Sequence, residues 1–138
     1  MEQAFLFGEY IVARHNLGRV IFAVGFVSAG VLHFVKTPLY VSIMPRYLPH
    51  PEALVLVSGA AEIAGGVGLL VWKQFPGLAR AAAWGLVALL VCVFPANLTM
   101  LEEHGRFPAI PLWVLWLRLP LQIPLIWWAL RYTRKLEG

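Results

Sequence analysis

The chain has 138 residues, of which 60% are apolar, 13% aromatic and only 13% charged, and it contains no aspartate. Soluble domains carry roughly 45–50% apolar and about 25% charged residues, so this chain lacks the polar surface that a cytosolic enzyme, a disordered tail or a disulfide-stapled secreted module needs. The formal charge of +4 does not indicate a nucleic-acid partner, because the basic residues stand at the ends of apolar runs, where anionic lipid headgroups lie.

In chain order, residues 1–16, with Phe5, Leu6, Phe7, Tyr10, Ile11 and Val12, read as an interfacial helix. Residues 18–34 follow as a first membrane span. A cleaved leader is not expected there, since Met1-Glu2-Gln3 carries no early basic residue and Val27-Ser28-Ala29 is a poor cleavage site. Thr37 then offers an N-cap and Pro38 an N1 proline, which predicts a short helix from Pro38 to Met44. The proline-stiffened stretch from Met44 to Pro51 is either a lid over a pocket or a plain surface loop. Residues 52–72, 78–94 and 110–130 complete a set of four apolar segments, each near the 20 or so residues that span a bilayer. Short connections make neighbouring helices antiparallel. The expected fold is all-α, a single four-helix transmembrane bundle.

Basic residues orient the bundle. Arg14, Arg19, Lys73, Arg80, Arg131, Arg134 and Lys135 fall on one side, against Lys36, Arg46 and Arg106 on the other. The positive-inside rule then places both termini in the cytoplasm. Trp72, Trp84, Trp127 and Trp128 fall near the inner ends and Trp113 near the outer one, as interfacial aromatic belts require.

Polar residues at membrane depth are the informative ones. Glu62 lies mid-way along the second span and Arg118 inside the fourth. At 1.5 Å per residue, Glu62 is about 15 Å, Arg118 about 12 Å and Gln122 about 18 Å from the outer face. These matched depths predict a structural ion pair between Glu62 and Arg118, which would lower the cost of burying both charges. Ala60, Ala64 and Gly68, with Gly59, Gly65 and Gly66 nearby, form a stripe of small residues suited to close helix packing. Pro95 loosens the third span where Asn97 can bond inward, and Pro120 and Pro124 act similarly in the fourth. His33 closes the first span. Its spacing to His50, Glu102 and His104 matches no metal motif, and no metal site is expected. The lone Cys92 cannot form an intramolecular disulfide or a dithiol pair.

Ala29-Gly30-Val31-Leu32-His33-Phe34, Met44-Pro45-Arg46-Tyr47-Leu48-Pro49 and Ser58-Gly59-Ala60-Ala61-Glu62-Ile63-Ala64-Gly65-Gly66 resemble the DoxX family of small bacterial membrane proteins. Phe94-Pro95-Ala96-Asn97 and Arg118-Leu119-Pro120-Leu121-Gln122 extend the resemblance from about Gly18 to Leu130. It implies a multi-pass protein of the bacterial inner membrane. It also implies association with redox complexes, since members are linked to thiosulfate:quinone oxidation and to defence against thiol oxidants. The expected function is therefore binding of a quinone or another lipid-like molecule by a redox-associated accessory subunit. The alternative is a non-catalytic lipid- or sterol-binding bundle, or a chaperone-like one. The expected ligand contacts are Glu62, Arg118, Gln122, Asn97, His33, Tyr47 and Trp116. Membrane lipids, a redox protein and a second copy of the chain are the expected partners, and no residue is assigned a catalytic role.

Overall fold

A computed structural model describes residues 2–134, with side chains from Glu9 onward. Six α-helices follow one another: α1 (Glu2–Val35), α2 (Thr37–Ser42), α3 (Pro51–Leu70), α4 (Pro76–Cys92), α5 (Phe94–Glu102) and α6 (Leu112–Arg131), with a 3₁₀ turn at His104–Arg106 before the last. Prolines set the starts. Pro38, Pro51, Pro76 and Pro95 occupy first-turn positions of α2 to α5, and Pro111 immediately precedes α6. A first-turn proline costs the helix nothing, because its missing N–H would have had no partner there.

Four stretches are long and apolar enough to cross a bilayer: Glu9–Val35, Pro51–Leu70, Pro76–Glu102 and Leu112–Arg131. Their outer faces carry exposed Val24, Leu32, Val57, Val67, Leu117 and Ile123. That surface would be ruinous in water and is what hydrocarbon requires. The chain is a multi-pass membrane protein with an all-α, four-helix bundle fold. One end of the bundle carries the first turns of α1, the α3–α4 turn and the end of α6, and is here the terminal end. The other carries α2, the 43–50 loop and the 103–111 turn, and is the loop end.

Several boundaries differ from expectation. The first span and the expected interfacial helix are one unbroken helix, because nothing between Glu2 and Val35 terminates it. The side chains of Phe5, Leu6 and Phe7, assigned to that interfacial face, lie outside the described residues, as does Lys135. The third crossing is not one helix ending at Phe94. It breaks at Val93 and continues as α5 to Glu102, since Pro95 supplies no N–H to the preceding turn. α6, in contrast, runs straight through Pro120 and Pro124. Thr37 does not cap α2. Lys36 holds that position, and the Thr37 hydroxyl donates instead to the carbonyls of His33 (2.7 Å) and Phe34 (3.0 Å).

The small-residue stripe is only partly where expected. Ala60 and Ala64 are exposed, whereas Gly68 is buried, as are Gly59, Gly65 and Gly66, and these glycines share the buried face of α3 with Val55, Glu62 and Leu69. A Cβ on Gly59 would lie 2.6 Å from His33 Cβ, and one on Gly66 would lie 2.7 Å from the Ala23 carbonyl oxygen. α1 and α3 therefore pack backbone to backbone, and Gly65 makes room for the Leu86 side chain of α4. The apolar core is densest toward the terminal end, where Phe22, Ala23, Leu69, Ala83, Leu86, Ala129 and Tyr132 pack together. A smaller cluster of Met100, Phe107 and Leu115, with Ile43 and Ile110, closes the loop end. The polar residues lie between these two clusters.

Candidate functional site

Five helices converge on a cavity of about 250 Å³ toward the loop end. α1 contributes Ala29 and His33, α2 contributes Tyr40, α3 contributes Val55, Ser58 and Glu62, α5 contributes Ala96 and Asn97, and α6 contributes Arg118; Ile43 and Met44 close the roof and Val93 a side wall. The α4–α5 break matters here, because it lets Val93, Ala96 and Asn97 all face the same space.

His33 is positioned from two directions. Its Nδ1 donates to the Ala29 carbonyl at 2.9 Å, which fixes the proton on Nδ1 and leaves Nε2 an acceptor in the neutral ring. Its ring stacks on Tyr40, with centroids 3.9 Å apart and planes inclined by 28°. The same Nδ1 lies 3.5 Å from Glu62 Oε2. Burial, and after it the Glu62 carboxyl, push the Tyr40 phenol above its ordinary pKa, with Arg118 pulling the other way. Tyr40 thus stays protonated and able to donate.

Glu62 is buried, and its Oε2 has no hydrogen-bond partner among the described residues. The ion pair expected between Glu62 and Arg118 is absent among the described residues: the nearest basic group to Glu62 is His33, and the two charges line one cavity with space between them. Matched depth placed both at the same level, but depth along a helix does not specify which way a side chain faces around it. Arg118 is half-buried, lines the same cavity and donates to no protein partner among the described residues.

Asn97 and Gln122 are joined, Asn97 Nδ2 to Gln122 Oε1 at 3.5 Å, and Gln122 Nε2 donates to the Leu90 carbonyl. Leu90 lies in the last turn of α4, where carbonyls have no partner within the helix. Gln122 therefore serves as a structural cap on the broken third crossing. It faces an apolar groove of about 440 Å³ along α4 and α6, walled by Leu90, Val91, Phe94, Leu119 and Ile123, and does not line the polar cavity. Tyr47 and Trp116 are 72% and 60% exposed and line neither space. The exposed phenol sits on the 43–50 loop, outside the roof, and Trp116 points away from the bundle.

Of the expected contacts, the structure gathers Glu62, Arg118, Asn97 and His33 on one cavity, sets Gln122 beside it and leaves Tyr47 and Trp116 outside. Tyr40 was missed. Its signal was its spacing of seven from His33: the chain stays nearly helical through Lys36, whose N–H bonds the Leu32 carbonyl at 2.8 Å, so two turns on returns to the same face. The roof is held by charge at the loop end. Arg106 pairs with Glu103 and donates through Nη2 to the Ser42 carbonyl at 3.1 Å, tying the end of α2 to the turn before α6.

Chemically the cavity offers one carboxyl, one guanidinium, one imidazole and one phenol within an apolar frame. Among the described residues no three His, Cys, Asp or Glu side chains group to hold a metal. No curated protein and no solved structure matches the chain. A family model described as a domain of unknown function, DUF8561, matches residues 22–133, a stretch that includes both core clusters and every residue lining the cavity. The chain belongs to the DUF8561 family.

Proposed function

We propose that the protein binds the polar head of a quinone or a similar lipid-like molecule in the cavity formed by His33, Tyr40, Glu62, Asn97 and Arg118. The observation that carries this reading is the unspent polar chemistry on one wall-to-wall space: an unpartnered Glu62 oxygen, an unpaired Arg118 guanidinium and a protonated Tyr40 phenol. At about 250 Å³ the cavity is slightly smaller than the roughly 300–1,000 Å³ of a typical ligand pocket. It suits a single ring, with the tail left among lipid. Quinone carbonyls would accept from Arg118 and Tyr40, while Glu62 and His33 stand where a quinol's protons would be taken up or returned.

The DoxX resemblance of the motifs around His33, Glu62 and Arg118 supports placing the chain in a bacterial inner membrane as an accessory to a redox complex. The seven-to-three basic asymmetry supports both termini on the cytoplasmic side. With a single cysteine, the chain has no dithiol, so electrons would come from a partner redox protein. The apolar groove along α4 and α6 favours a second reading, in which a lipid or sterol is held without redox chemistry.

Thermal melting of the purified chain in detergent separates the two. Decylubiquinone should raise Tm, and Arg118→Leu or Tyr40→Phe should abolish the increase while leaving the ligand-free melt nearly unchanged. A rise with cholesterol or a plain long-chain alcohol, and none with the quinone, would favour the second reading. No ligand-dependent shift with either class would remove both.

A further inference from the structure

A second cavity, of about 290 Å³, lies at the terminal end, and its charge is all of one sign. Arg19, Arg80 and Arg134 line it, and among its described lining residues there is no carboxylate. Arg19 is the informative member. It is 3% exposed, its guanidinium is flanked by the Trp72 and Tyr132 rings at 5.2 and 5.0 Å, and its Nε is sealed from solvent without an acceptor among the described residues. The two rings hold the guanidinium plane by cation–π attraction, but they satisfy none of its five N–H donors. A desolvated cation without an anion is among the least favourable arrangements in a protein interior.

The first turn of α4 opens onto the same space through Pro76 and Gly77. Its cap residue, Phe75, has no side-chain acceptor to offer. The Gly77 and Leu78 amides therefore lack partners among the described residues, and the positive end of a 17-residue helix points into the cavity. A Cβ on Gly77 would meet nothing within 4 Å, so there is room for an anion to approach the backbone. The site is built at the level where three spans end. Trp72 follows α3, Pro76 begins α4 and Tyr132 follows α6.

From this we propose that the terminal-end cavity is a binding site for a phosphate-type oxyanion, held by the guanidiniums of Arg19, Arg80 and Arg134 and the amides at the start of α4. Forked guanidiniums and a free helix N-terminus are the donors that phosphate oxygens match best. Two sources share this chemistry: the phosphodiester of an anionic phospholipid and free phosphate from solution. The site is separate from the quinone-type cavity near the loop end and does not depend on that reading.

The test uses the full chain in dodecyl maltoside, which carries no phosphate and no charge. Tm is followed against inorganic phosphate, against sodium chloride at equal ionic strength, and against phosphatidylglycerol or diacylglycerol mixed into the micelles. A rise with phosphatidylglycerol but not with diacylglycerol or inorganic phosphate identifies a lipid as the source, and a rise with inorganic phosphate above the chloride control identifies the free ion. Either outcome supports the site. Arg80→Gln and Arg134→Gln, both away from the apolar core, should each weaken the apparent affinity about tenfold, whereas Lys36→Gln with Arg46→Gln at the loop end should leave it unchanged. Arg19→Met should abolish the shift; if that variant does not fold, the other two carry the test. Equal melts in all four additions, or a shift that survives loss of Arg80 and Arg134, would overturn the proposal.

Discussion

Glu62 and Gln122 are both buried polar side chains in membrane-spanning helices, yet they do opposite things for stability. Gln122 bonds a carbonyl that α4 cannot satisfy itself, so Gln122→Leu leaves the Leu90 carbonyl orphaned and should cost about 1–3 kcal/mol. Glu62 has one neighbour within salt-bridge reach, at 3.5 Å, and an unpartnered oxygen. Replacing it by the neutral, equally sized glutamine relieves that burial, and Glu62→Gln should stabilise the bundle by about 1 kcal/mol. Melts of the two variants in one detergent check the signs. Destabilisation by Glu62→Gln would mean that the carboxyl is a structural strut after all. A side chain that lowers stability where it stands is the pattern of a functional group held in place by its surroundings.

At the scale of elements, the α1–α3 seam depends on two glycine contacts. A Cβ on Gly30 would come within 2.5 Å of the Gly59 carbonyl oxygen, and the one on Gly66 meets Ala23 backbone. Neither neighbour can rotate away, so Gly30→Ala or Gly66→Ala should destabilise by about 1–3 kcal/mol. Ala60→Leu and Ala64→Leu, on the exposed face, should change stability by less than about 0.5 kcal/mol. Thermal melts of the four variants decide between this seam and one through Ala60 and Ala64. The difference between the two shows what a membrane helix conceals in its sequence. The four crossings were legible from composition and length, because hydrocarbon thickness dictates both. The facing of α3 was not, since lipid-exposed Ala60, Val57 and Val67 are as apolar as buried Val55 and Leu69. The same loss of phase let the depths of Glu62 and Arg118 be read but not the gap between them. Tyr40 escaped notice because its role depends on the chain staying helical through Lys36.

Taken as a whole, the molecule has two ends of different character. Lys73 and Arg134 lie at the terminal end and Glu103 at the loop end, with four crossings between them. In a Cys92→Ser background, Lys73→Cys and Arg134→Cys should therefore react alike with a membrane-impermeant thiol reagent in intact cells, and Glu103→Cys oppositely. The proposed cytoplasmic placement of the basic excess makes Glu103→Cys the one expected to be labelled. Labelling of all three, or of Glu103→Cys together with either of the others, would contradict the bundle's arrangement.

α1 has one further consequence for the whole molecule. Its 34 residues make a rod about 51 Å long, whereas the 20-residue α3 and α6 reach about 30 Å, the thickness of the hydrocarbon layer itself. The surplus lies past Arg19, and exposed Tyr10, Ile11 and Val12 keep it partly apolar. α3 and α6 have no spare length with which to follow a thicker bilayer, but α1 does, and only in the leaflet at the terminal end. The protein should accordingly tolerate mismatch asymmetrically: thickening that leaflet draws more of α1 into lipid, while thickening the other strands the short helices at the loop end.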